Sequence, residues 1–131
     1  MESGSALRCY SVREGSGAVH VARVKGVDAV NMTQASMSTI TCKVTNVATA
    51  AFTTPAVTIA TSVFDTLQTD SRWTLATPGD TTGYNFRFEL APADIVEGGA
   101  LYEVRFLGTP AVGNAFIVDA FRVFVIPLLG V

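Results

Sequence analysis

His20 is the only histidine in the chain, so any general-base chemistry would have to start there. It stands among valines in Ala18 to Lys25, and no G-x-S-x-G elbow or comparable motif marks a serine or cysteine nucleophile for it to activate. A surface or interface histidine is the simpler reading. Asp65, Asp70 and Asp80 are the carboxylates that invite a Ca²⁺ reading. Their spacing fits no compact loop with ligands at alternate positions, and capping and turn roles account for each. Cys9 and Cys42 show neither CxxC nor Cys/His spacing. In a reducing compartment they read as two small core side chains, and a disulfide would require two strands to bring their Cα atoms within about 6 Å. Trp73 either plugs one end of the fold or is presented as an aromatic anchor. The Gly98-Gly99 and Gly15-x-Gly17 pairs lack the strand-to-helix setting of a phosphate cradle and read as turns. These residues imply no catalytic residue, no metal and no cofactor.

The elements that would position them centre on Thr82 to Phe106. Tyr84, Phe86, Phe88 and Leu90 alternate with Asn85, Arg87 and Glu89; Tyr102, Val104 and Phe106 alternate with Glu103 and Arg105. A period of two describes strands with one buried face and one wet face. Pro92 and Gly98-Gly99 punctuate the connection. Upstream, Ala6 to Glu14 and Ala18 to Lys25 read as strands joined by a Gly-Ser-Gly turn. Met37 to Thr45 places Ile40, Cys42 and Val44 inward. Asn46 to Thr54 reads as a loop and Val57 to Phe64 as a strand. Asp65 to Trp73 carries the chain's only helical character, predicting one short turn near residues 65–71. Thr109 to Asn114 is a hairpin connection and Ala115 to Ile126 the last strand. About seven strands with turns every ten to fifteen residues predict an all-β antiparallel sandwich. Residues 1–5 read as a flexible tail and 6–131 as one domain.

That last strand is the most informative surface feature. Phe121, Val123 and Val125 suit one face while Phe124 and Ile126 occupy the other, so neither face looks wet. Another part of the chain covers the outer face, or a neighbouring subunit does; the subunit contact is preferred. Phe116, Val118, Arg122, Phe124, Ile126 and Leu128, together with Trp73, are the expected interface residues. The composition agrees, with 49% hydrophobic and only 15% charged residues in a 131-residue chain. A net charge of −2 with basic residues scattered singly makes no case for nucleic acid. Met1 to Ser5 has neither a basic segment nor a following apolar core, so a secretory leader is not expected and folding in a cytoplasm is. Asp119, Arg122 and Pro127 interrupt the apolar C-terminal run, which argues against a membrane span.

Three local patterns resemble phage virion proteins with small immunoglobulin-like domains, in particular the N-terminal domain of phage baseplate upper proteins and related phage structural proteins. The first is Asn31-Met32-Thr33-Gln34-Ala35-Ser36-Met37-Ser38-Thr39-Ile40, leading into a central strand. The second is Val63-Phe64-Asp65-Thr66-Leu67-Gln68-Thr69-Asp70-Ser71-Arg72-Trp73. The third joins Gly83-Tyr84-Asn85-Phe86 to Tyr102-Glu103-Val104-Arg105-Phe106, then Thr109-Pro110 and Gly113. Together they span about two-thirds of the chain. The resemblance implies an immunoglobulin-like sandwich and a non-enzymatic virion component made in the host cytoplasm. It would be a capsid decoration, head–tail connector or neck, or tail accessory protein. Its partners would be capsid, portal or tail subunits and further copies of itself. A second reading, a carbohydrate-binding or adhesin-like module, would use Trp73 and Tyr84 as stacking platforms.

Overall fold

A computed structural model describes residues 8–26 and 28–128 of the protein; the expected tail at residues 1–5 lies outside them. Among these residues eight strands form two sheets. The larger runs β1 (Arg8–Arg13), β8 (Phe116–Ile126), β7 (Leu101–Pro110), β3 (Met37–Asn46) and β4 (Phe52–Thr53); the smaller runs β2 (Ala18–Ala22), β6 (Tyr84–Leu90) and β5 (Val63–Gln68). The fold is all-β with two sheets. It is not wholly antiparallel, because β1 pairs parallel with β8, Arg8 standing opposite Phe121 and Arg13 opposite Ile126. The Glu14–Gly17 turn sends the chain from one sheet to the other, so β1 and β2 form no hairpin and β1 takes the free edge of β8.

Period-two patterning places the core where the alternation predicts it. Ile40, Cys42 and Val44 of β3, Val104 and Phe106 of β7, and Phe121, Val123 and Val125 of β8 are buried, facing Phe86, Phe88 and Leu90 of β6. Phe106 joins the layers, with its ring centroid 4.9 Å from Phe86, 5.1 Å from Phe88 and 6.1 Å from Phe121. The first residue of β6 leaves this set. Tyr84 packs with Val21, Trp73 and Phe64 in a second, smaller cluster.

Asn85, expected on the wet face, is buried at 1% exposure. Its side-chain oxygen accepts from the Val24 N–H at 2.7 Å, and its amide donates to the Val24 and Met32 carbonyls at 2.9 Å each. A segment between β2 and β3 folds over it; the Met32 N–H already donates to the Val24 carbonyl at 3.0 Å, and the Asn85 side chain satisfies the remaining Val24 N–H and Met32 carbonyl.

The expected strand at Val57–Phe64 and the helical turn at 65–71 are both displaced. One helical turn, α1 (Ile59–Ser62), precedes β5, and β5 occupies Val63–Gln68. The second helix, α2 (Ser71–Ala76), follows Asp70, whose side chain accepts from the Arg72 N–H at 3.1 Å and so supplies the N-cap. Asp65 does not cap a helix. It accepts from the Gln34 N–H at 2.8 Å, which ties β5 to the β2–β3 connection. Gly83 (φ +107°) turns the chain into β6 where an added Cβ would stand 2.5 Å from the Gln68 carbonyl oxygen, so only glycine fits.

Candidate interaction surface

The residues that invited chemistry are held in structural pairings. His20 is not at the surface. It is buried at 3% exposure between the sheets and stacks on Phe121 at 4.1 Å. Its Nδ1 lies 2.8 Å from the Tyr10 hydroxyl and its Nε2 2.5 Å from Asp119 Oδ2. An ionised carboxylate only accepts, so Nε2 donates to Asp119, while Nδ1 shares a hydrogen bond with the Tyr10 hydroxyl. One side chain of β2 thereby fastens β1 and β8. Asp70 caps α2 and accepts from the Tyr84 O–H at 2.7 Å. Asp80 accepts from the Arg23 guanidinium, the Trp73 indole N–H and the Thr82 N–H. Asp65, Asp70 and Asp80 therefore serve separate partners, and no group of three metal-ligating side chains occurs among the described residues. Cys42 is a core residue whose thiol burial, followed by the nearby Asp94 charge, pushes up to about 12. That keeps it protonated and a poor nucleophile. Cys9 is exposed rather than in the core, and both cysteines are free.

Three carboxyls have pKa values below the usual carboxylate range. For Asp70 the leading cause is the Tyr84 hydrogen bond, and for Asp80 the Arg23 hydrogen bond. For Glu103 burial pushes upward, but hydrogen bonds from Arg105 and Arg122 outweigh it. A carboxyl with a depressed folded pKa stabilises the protein above its unfolded pKa and loses that contribution as pH falls through the folded value. Urea midpoints are therefore expected to hold steady above pH about 5 and to decline below about 4. Asp80→Asn should make that decline shallower; an unchanged acid limb would contradict the assignment.

The outer face of the larger sheet is different in character. In register across β8 and β7 it presents Phe124 beside Leu101, Arg122 beside Glu103, Ala120 beside Arg105 and Ile117 beside Leu107. Phe124 (37% exposed), Ile126, Leu107 and Ile117 (57%) stand open to solvent, as does Phe52 on β4. Between the two apolar patches, Glu103 accepts from both Arg105 and Arg122. Lys43 lies over the Phe52 ring at 4.3 Å. With Arg13 at the edge, this face carries four basic residues and one acid in a chain of net charge −2.

Among the expected interface residues, Phe124, Ile126 and Leu128 are exposed and Arg122 is half-exposed in its ion pair. Phe116 is half-buried against the core. Val118 and Trp73 are buried, which corrects their assignment to a surface. The reason for Val118 is a register shift. Phe106 faces Asp119 but Leu107 faces Ile117, so β8 has one extra residue and the sides exchange below it. Val118 turns inward and Ile117 outward. Trp73 is buried against Val21 and Tyr84, with Arg23 over its ring at 5.6 Å. With Tyr84 also buried, neither aromatic offers a platform to a sugar. Ile117, Leu107 and Phe52, which sequence reasoning did not place here, complete the face. No described segment covers it.

Comparisons with protein-family models, with curated proteins and with solved structures found no match to this chain.

Proposed function

We propose that this protein is a non-enzymatic structural subunit of a phage virion, an immunoglobulin-like block that assembles in symmetric copies through the outer face of its larger sheet. The observation that carries the reading is that face itself. Phe124, Ile126, Leu107, Ile117 and Phe52 are left uncovered on a single sheet surface, with Glu103, Arg105 and Arg122 ion-paired between them. Large apolar side chains left exposed together on one sheet face mark a protein interaction surface, and the Glu103–Arg105–Arg122 charges between them are satisfied within the chain. The virion assignment rests on the three local patterns that resemble phage structural proteins, and the partners are capsid, portal or tail subunits. Burial of this face contributes at about 25 cal/mol per Å² before association costs, and repetition around a ring or shell multiplies weak contacts into avidity.

Phe124 is exposed enough that a charge there leaves the folded monomer intact. Phe124→Asp is expected to keep the wild-type circular dichroism spectrum and melting transition while eluting from a sizing column as a monomer, under conditions where the wild type elutes as an oligomer. Wild type and variant running as equal monomers, with unchanged incorporation into particles, would sink the proposal.

A further inference from the structure

β3 is an interior strand for only part of its length. Asn46 donates its N–H to the Ala51 carbonyl on the β4 side, whereas Val47 donates to Leu101 on the β7 side. Backbone groups of successive strand residues point to opposite edges, so Val44, Cys42 and Ile40 present their N–H and C=O on the same side as Asn46. β4 pairs with Val44 through Thr53 and then ends. Among the described residues, no backbone hydrogen bond from the following segment reaches Cys42 or Ile40. These two residues are 2% and 5% exposed, so water reaches their amides little. Buried backbone groups without partners are rare and call for an explanation.

They border a groove of about 530 Å³. One wall is the edge of β3 from Ile40 to Lys43. The other is the segment Thr54 to Val57, and Leu107, Ile117 and Arg105 reach the groove from the outer face. Its lining is mainly apolar, and its two charged members, Lys43 and Arg105, are both cationic. We infer that this open edge of β3 is a docking slot for an extended peptide segment of a partner protein, one that alternates apolar and acidic side chains. The peptide backbone completes the ladder at Cys42 and Ile40 where β4 stops. Its apolar side chains pack against Val57 and Pro55, and its carboxylates meet Lys43 and Arg105. A second copy's β1 edge fits worse, because Arg8 and Arg13 would bring cations to cations. The slot shares Leu107, Ile117 and Arg105 with the outer face, but its backbone edge at Cys42 and Ile40 is not part of that face, and the inference does not depend on the assembly proposed above.

The competing explanation is that Lys43 merely blunts an exposed edge. Amide exchange on the full chain, with a blocked hexapeptide of alternating valine and glutamate, separates the two. The Ile40 and Cys42 amides are expected to slow at least tenfold on adding the peptide. Lys43→Glu, and Ala56→Trp on the opposite wall, should each weaken binding at least tenfold while leaving the rest of the exchange pattern unchanged. The inference fails if these amides already exchange as slowly as Val44 in the free protein, or if the peptide leaves them unchanged. It fails equally if a valine–lysine hexapeptide binds as well, or if slowing appears on concentrating the Phe124→Asp variant alone, which would make the occupant a second copy. Sizing of the Ala56→Trp variant keeps the outcome distinct, since Ala56 belongs to the opposite wall and not to the outer face, and Phe124-dependent oligomers should survive it.

Discussion

Replacing Phe106 by alanine is expected to destabilise the protein by about 4 kcal/mol, the middle of the range for removing a buried aromatic side chain. Phe106 has no exposed surface and meets Phe86 and Phe88 across the sandwich and Phe121 on its own sheet. Its removal opens a cavity on the surface where the two layers touch, and β7, being internal with β3 and β8 on either side, cannot move inward to close it. Domains of this size have a total stability of roughly 5–15 kcal/mol, so the variant should sit close to unfolding at 37 °C. Phe106→Leu, which keeps most of the volume, should cost about a third as much. Urea unfolding of the two variants reads both numbers. Similar losses would mean that the contact between sheets is carried elsewhere.

Asn85→Leu should cost about 3 kcal/mol by a different route. The leucine is close in size and apolar, yet it leaves the Val24 N–H and the Met32 carbonyl without their partners, while the Val24 carbonyl keeps only the Met32 N–H. Each buried group left unpaired costs on the order of 1–3 kcal/mol, and partial rearrangement of the covering segment recovers some of it. The loss should be local as well as global. Exchange of amides around Val24 and Met32 should accelerate more than exchange in β7. If stability changes by less than 1 kcal/mol, water is serving those groups and the side chain is dispensable.

How much of this was legible in the sequence depends on what each strand touches. β3 and β7 are internal, with one wet face, and their alternation read directly as Ile40, Cys42 and Val44 opposite Tyr102, Val104 and Phe106. β8 was legible above its register shift and misleading below it, because a one-residue insertion in a ladder leaves no mark in composition. Asn85 and His20 were unreadable for a related reason. A polar residue in an alternating run is placed by default in water, and only the covering segment, or Tyr10 and Asp119 brought from distant strands, supplies the buried partners. The helical turn was placed about six residues early because Asp65 and Asp70 are equally good caps locally; a long-range bond to Gln34 engages the first. The slot beside β3 is defined by where a two-residue strand stops, which pairing decides and residue type does not.

The parallel placement of β1 against β8 imposes an order on synthesis. Arg8 to Arg13 are made before the other described strands, and their partner, Phe121 to Ile126, only after all of them. Until then the first strand has no ladder to join, and Tyr10 cannot meet Asp119 through His20. The contacts that close the larger sheet therefore have the greatest sequence separation in the fold, which slows their formation and leaves an unpaired strand exposed meanwhile. When β8 emerges it pairs with β1 on one side and β7 on the other. Among the described strands the larger sheet, which carries the proposed contact face, is thus completed last, and a nascent chain cannot present the whole of that face before β8 has paired.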